Sequence, residues 1–98
     1  MGAALITGAS AGLGAEFARQ LAGKGLDLVL VARRIDKLSE VKLQIESEHP
    51  SVSIRLISAD LSDPSSPEAI AMQVKEAGIQ LHYLVNNAGA SGPVLLQD

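Results

Sequence analysis

Cysteine is absent from the sequence, no apolar run is long enough to cross a bilayer, and the basic residues are outnumbered, eight Lys and Arg against eleven Asp and Glu. Each absence removes a class of protein. A chain without thiols builds no disulfide framework and suits the reducing cytosol. The longest apolar run, Leu28 to Ala32, is the size of a strand, against the roughly 18 residues that a membrane span needs. The opening Met1-Gly2-Ala3-Ala4-Leu5 has no basic residue ahead of its apolar run, so it does not read as a secretory signal. With a net charge of −3 and Lys and Arg scattered apart from Arg33-Arg34, no basic face forms to neutralise a nucleic-acid backbone. There is also no repeat, low-complexity tract or linker. What remains is a soluble, cytoplasmic chain of 98 residues, 47% hydrophobic, forming one domain or less, with no nucleic-acid or membrane partner expected.

What is present is organised around Thr7-Gly8-Ala9-Ser10-Ala11-Gly12-Leu13-Gly14, a glycine-spaced stretch directly after the apolar run Ala3-Ala4-Leu5-Ile6. A buried strand delivers the chain to Gly8, where a missing Cβ allows a sharp turn out of a sheet. Gly12 lies where the backbone would approach a phosphate closely, and Gly14 where the first helical turn would press on the strand. The start of the helix offers unpaired N–H groups and the positive end of a dipole, so an anionic group such as a pyrophosphate is the natural guest. A glycine triplet alone is a weak signal, and the strand before it and the helix after it supply the context it requires.

Along the chain, Leu13, Phe17 and Leu21 recur every four positions and predict an amphipathic helix over 13–24, capped by Gly25. Leu26 to Ala32 reads as a continuously apolar strand covered on both faces. Asp36 is placed to cap a second helix reaching about Glu48, with Leu38, Val41 and Ile45 on one face and Pro50 beyond its end. Val52 to Leu56 alternates apolar and polar residues, as a half-covered strand does. A third helix has Ser66 as N-cap, Pro67 at its first position, Ile70 and Val74 as its buried pair and Gly78 after its end. Leu81 to Val85 is the last strand and runs into Asn86-Asn87-Ala88-Gly89. His82 and Tyr83 fall within it as structural residues, and His49 has no second ligand nearby for a metal. Strands alternating with helices imply right-handed parallel crossovers, hence four parallel strands in the order 3-2-1-4 with three helices on the two faces. Gly8, Arg33, Asp60 and Asn87 then converge at the carboxyl ends of four strands.

With those segments in place, the chain resembles the cofactor-binding half of a classical short-chain dehydrogenase/reductase over nearly its whole length. Thr7 to Gly14 is similar to that family's TGxxxGxG pattern, Asp60-Leu61 to the acidic position after its third strand, and Asn86-Asn87-Ala88-Gly89 to its NNAG element. The resemblance implies a Rossmann-type doubly wound α/β domain over residues 1–98, incomplete relative to the family's full fold. It implies that backbone groups of Ser10, Gly12, Leu13 and Gly14 hold a pyrophosphate and the adjacent ribose, with the Thr7 and Ser10 hydroxyls bracing the turn. Asp60 would accept from the adenine amino group, and the Leu61 N–H would donate to the ring. Asn87, Ala88 and Gly89 would line the floor beside the nicotinamide ribose, the Asn87 amide also tying the fourth strand to its neighbour. At the end of the second strand, where an NAD site carries an acidic residue, this chain has Arg33-Arg34. Guanidinium groups bind a 2′-phosphate by charge-assisted hydrogen bonds, so NADP(H) is expected over NAD(H).

The family's catalytic serine and Tyr-x-x-x-Lys pair lie beyond the NNAG element and are not in this sequence. Tyr83 precedes that element and is followed four positions later by Asn87, so it does not stand in for the catalytic tyrosine. Hydride transfer to a carbonyl needs a proton donor, and the 98 residues alone are expected to bind cofactor without catalysing. The expectation is the N-terminal part of a longer NADP-dependent oxidoreductase acting on a small-molecule carbonyl or alcohol, its remaining half supplying active site, substrate pocket and oligomer helices. The alternative is a self-sufficient, non-catalytic nucleotide-binding or regulatory module. An apolar edge from Leu81 to Val85 favours the first, since native proteins pair or cover such edges.

Overall fold

In the computed structural model, which describes residues 2–87 and 95–97, four parallel strands run in the order β3-β2-β1-β4, joined at the outer edge of β4 by a fifth. The elements are β1 (Ala3–Thr7), α1 (Gly12–Gly23), β2 (Asp27–Ala32), α2 (Ile35–Glu48), β3 (Ile54–Ser58), α3 (Ser66–Glu76), β4 (Leu81–Asn86) and β5 (Leu95–Gln97). The expected 3-2-1-4 parallel arrangement is present. The addition is β5, antiparallel to β4 with Tyr83, Leu84 and Val85 opposite Gln97, Leu96 and Leu95. It pairs the apolar edge that the sequence leaves needing a neighbour.

Continuous apolarity in β2 has the physical cause that the pleat dictates, since alternate side chains go to opposite faces. Leu28, Leu30 and Ala32 join Ala4, Ile6, Leu38, Val41 and Ile45 in one core, under α1 and α2. Val29 and Val31 join Leu5, Ile57, Ile70 and Val74 in the other, under α3. Burying each such Val, Leu or Ile is worth about 1.5–3 kcal/mol against leaving it exposed. In β4 this alternation breaks once. The pairing with β1 slips between Ala3 and Ala4, whose partners are Leu81 and Tyr83, so His82 is a bulged residue. Leu81 and Leu84 consequently pack on the same face, with the α3 core, while Tyr83 goes to the other. The His82 ring lies against Gly2, where a Cβ would overlap it.

Several boundaries differ from the sequence expectation, each for a local reason. Leu26 lies outside β2: its N–H donates to the Leu21 carbonyl and the Gly25 N–H to that of Ala22, with Gly25 at φ 86°, so Leu26 closes the end of α1. Strand β3 begins at Ile54, two residues later than expected, because Val52 is spent on a turn, its N–H donating to the His49 carbonyl. Helix α3 has Ser65, not Ser66, at its N-cap position. Ser66 is buried as the first helical residue, and its hydroxyl donates to the Asp60 carbonyl. Asp36 does not cap α2. The N-cap position belongs to Arg34, and Asp36 lies in the first turn. Helix α1 begins at Gly12, and its buried face is Gly14, Ala15, Ala18, Leu21 and Ala22, with Leu13 turned outward at 52% exposure.

Candidate functional site

Strand β1 ends at Thr7, and the chain then makes its turn on two glycines in the left-handed region, Gly8 at φ 61° and Gly12 at φ 59°. Side chains seldom adopt that conformation. The Ala9 N–H donates to the Val31 carbonyl at 3.2 Å, so the turn is pinned to β2. Around Gly12 the space is open, and a Cβ there would meet no atom within 4 Å. Gly14 is the opposite case: a Cβ would fall 2.1 Å from the Gly8 carbonyl oxygen and 2.8 Å from Asn87 Nδ2. Only a glycine lets α1 sit this close to the end of β1.

The turn is tied to the end of β4 through Thr7 and Asn87. The buried Thr7 hydroxyl donates to Asn86 Oδ1 at 3.1 Å and accepts the Asn87 N–H at 3.0 Å, while Asn87 Nδ2 donates to the Gly8 carbonyl at 3.3 Å. One hydroxyl therefore joins two strands at the point where both leave the sheet. Thr7→Val keeps the shape and removes the oxygen, leaving the Asn87 N–H and the Asn86 side-chain Oδ1 without it. Asn86 is exposed and Asn87 half-buried, so the loss is that of a net hydrogen bond, about 0.5–1.5 kcal/mol. Urea unfolding of the intact protein is expected to show an unfolding free energy lower by that amount, through a lower midpoint at an unchanged slope.

Arg33 and Arg34 follow the end of β2, both exposed. The Arg33 carbonyl accepts from the Ser58 hydroxyl at 2.9 Å, joining this corner to the end of β3. Arg34 forms a two-pronged ion pair with Asp36, and its hydrogen bonds hold the Asp36 carboxyl below the usual range. After β3, the Asp60 carboxylate accepts the Ser62 hydroxyl at 2.7 Å and the Ser62 N–H at 3.0 Å, both on Oδ1. Those bonds, first the hydroxyl and then the backbone, lower its pKa, and the Arg33 charge adds to the effect. Asp63 repeats the device on Ser65. Leu61 is half-buried against the α3 core.

Of the expected site residues, Thr7, Gly8, Ser10, Arg33, Arg34, Asp60, Leu61 and Asn87 lie at the carboxyl ends of the strands or in the loops that leave them, and Gly12, Leu13 and Gly14 form the first turn of α1. Ala88 and Gly89 lie outside the described residues. The Ser10 hydroxyl makes no hydrogen bond among the described residues, so the bracing expected of it falls to Thr7. Sequence reasoning missed Asp36 as the partner of Arg34; their spacing of two carried the signal. Among the described residues no three His, Cys, Asp or Glu gather to hold a metal, and no helix is long and apolar enough to cross a membrane. An apolar groove of about 730 Å³ between α3 and β4, walled by Ile70, Val74, Leu81 and Leu84, has Lys75 as the one charged residue in its lining among the described residues.

The family model for short chain dehydrogenases matches residues 2–98. The chain is 38% identical over 90 residues to a very-long-chain 3-oxoacyl-CoA reductase-like protein of Arabidopsis thaliana, covering 92% of this chain and 28% of that one. Among solved structures it is similar to L-sorbose reductase from Gluconobacter frateurii complexed with NADPH and L-sorbose, with a TM-score of 0.83 and 32% identity over 91% of this chain and 34% of that one. It is likewise similar to a short-chain dehydrogenase from Sphingobium yanoikuyae in complex with NADPH, with a TM-score of 0.75 and 34% identity over 86% and 32% of the two chains. The chain spans about a quarter to a third of the length of the curated relatives it matches.

Proposed function

The chain belongs to the short-chain dehydrogenase family, and from that premise we propose that it is the dinucleotide-binding part of an NADP(H)-dependent oxidoreductase interconverting a carbonyl and an alcohol. The observation that carries this reading is the glycine turn. Gly8 and Gly12 hold left-handed backbone, and Gly14 seats the start of α1 against the Gly8 carbonyl. That is a cradle a side chain would fill, and its donors are backbone N–H groups at a helix start, the chemistry an anionic pyrophosphate requires.

The roles follow from position. The N–H groups of Ser10, Gly12, Leu13 and Gly14 take the pyrophosphate and the adjoining ribose, while Thr7 and Asn87 fix the turn against β4. Asp60 keeps its Oδ1 on Ser62 and presents Oδ2 to the adenine amino group, with the Leu61 N–H donating to the ring. Asn87, Ala88 and Gly89 form the floor beside the nicotinamide ribose. Arg33 and Arg34 take the 2′-phosphate, in keeping with the NADPH bound by the Gluconobacter and Sphingobium enzymes. The bound cofactor supplies the hydride; these residues hold it at the carboxyl edge of the sheet and orient its two ends. Tyr83 lies within β4 and has Asn87, not lysine, four positions on, so it is not assigned the accompanying proton. Active-site chemistry, the small-molecule substrate pocket and a homo-oligomeric assembly belong to the complete protein.

Calorimetric titration of the intact protein with NADPH and NADH, followed by NADPH oxidation against a panel of ketones and aldehydes, tests this. Binding of NADPH at least about tenfold tighter than NADH, the worth of one charge-assisted contact, together with turnover, is expected. No dinucleotide binding would overturn the reading, and binding without turnover on any carbonyl would replace it with a non-catalytic nucleotide-binding module.

A further inference from the structure

Arg33 and Arg34 leave β2 side by side but in different company. Arg34, at the N-cap position of α2, folds over the first helical turn, its Nε–H donating to Asp36 Oδ1 at 3.3 Å and its Nη2–H to Oδ2 at 2.8 Å. Arg33 has no ion pair among the described residues, and its recorded hydrogen bond uses the backbone carbonyl. A guanidinium presents its N–H groups in a rigid fork, and the edge that grips a carboxylate at two points is the one that grips a phosphate. On Arg34 the Nε/Nη2 edge is taken by Asp36, whose charge also offsets that of the guanidinium, and the Nη1/Nη2 edge is left. Asp36 is a carboxylate whose pKa Arg34 lowers further from its ordinary acidic value, so the competitor is charged throughout the neutral range.

We propose that Asp36 is a specificity-determining residue, which occupies one of the two two-point edges of Arg34 and offsets its charge, and so makes Arg33 the principal ligand of the cofactor's 2′-phosphate. This rests on the reading that the phosphate sits at the end of β2. The preference for NADPH is then set below what two unengaged arginines would give. Both members of the pair are nearly two-thirds exposed, so the competition has the scale of a surface ion pair and fades as salt rises.

The test is calorimetric binding of NADPH and NADH to the intact protein at low ionic strength, comparing wild type, Asp36→Asn, Arg34→Gln, the double variant and Arg33→Gln. Asp36→Asn is expected to tighten NADPH roughly two- to fivefold, the range of an exposed pair, and to leave NADH unchanged, which also shows that the fold is intact. On the Arg34→Gln background the same change is expected to give less than half that gain. Unchanged or weaker NADPH binding in Asp36→Asn overturns the inference, as does an equal gain without Arg34. Arg33→Gln separates the two levels. If both it and Arg34→Gln leave the NADPH to NADH ratio unaltered, the phosphate reading itself fails; if Arg34→Gln alone lowers the ratio, or if Arg33→Gln lowers it while Asp36→Asn does nothing, only the role of Asp36 fails.

Discussion

Replacing Gly14 with alanine is expected to destabilise the protein by about 3 kcal/mol or more, at the upper end of the cost of overpacking a core, and to weaken dinucleotide binding more than tenfold. The reason is what the new methyl would meet. Its Cβ would fall 2.1 Å from the Gly8 oxygen and 2.8 Å from the Gly8 carbonyl carbon, and these are backbone atoms with no rotamer to yield. Either α1 moves off the end of β1 or the turn deforms, and both misplace the N–H groups that face the phosphate. Asn87 Nδ2, also 2.8 Å from the added carbon, is displaced from its bond to the Gly8 carbonyl. Gly23, in the last turn of the same helix, provides the control. A Cβ there would make only ordinary contact with His49 at 3.8 Å, and Gly to Ala within a helix is stabilising by roughly 0.5–1 kcal/mol. Urea unfolding and NADPH titration of both variants decide the point. A Gly14→Ala protein as stable and as tightly binding as wild type would show that α1 and β1 do not meet as described.

The contrast between these two glycines also shows how much of the molecule is legible in its sequence. Strand and helix order follows from the alternation of apolar periods, and the converging strand ends follow from right-handed crossovers. The glycines announce the turn because few other residues tolerate its backbone. Less legible are the places where one residue type serves two purposes. Leu26 and Val52 are apolar enough for strands, but each is a buried residue that closes a turn after a helix end. Leu13 fits the four-residue period of α1, yet it lies in the first turn, beyond the sheet surface, and faces outward. Ser65 and Ser66 are indistinguishable as caps until Asp63 takes the N–H and hydroxyl of Ser65, and the Asp60 carbonyl takes the hydroxyl of Ser66. Asp36 looks like a helix cap by type and is a partner to Arg34 by geometry. For the serines and Asp36 a side-chain bond decided between options that local propensity left equal, and for Leu26 and Val52 a backbone bond to the preceding helix end did.

The second large effect is expected at Arg33. Arg33→Asp removes a guanidinium from the end of β2 and places a carboxylate where a 2′-phosphate would sit. Each charge-assisted hydrogen bond to the phosphate contributes about 1.5–3 kcal/mol, so the loss alone corresponds to roughly ten- to a hundredfold in NADPH affinity. Repulsion between the new carboxylate and the phosphate adds to it. In NADH the same carboxylate meets a hydroxyl, which can donate to it, as the acidic residue does in NAD-binding sites of this fold. The NADPH to NADH affinity ratio is therefore expected to fall by about a hundredfold or more, with a change of sign in the preference. The substitution should leave the fold alone, because Arg33 is exposed and its structural bond, from the Ser58 hydroxyl, goes to the backbone carbonyl that aspartate retains. Titrating both cofactors against the variant measures the ratio directly. An unaltered preference for NADPH would move the phosphate away from β2, to a part of the complete protein beyond these arginines, and Arg34, held by Asp36, would not rescue the assignment.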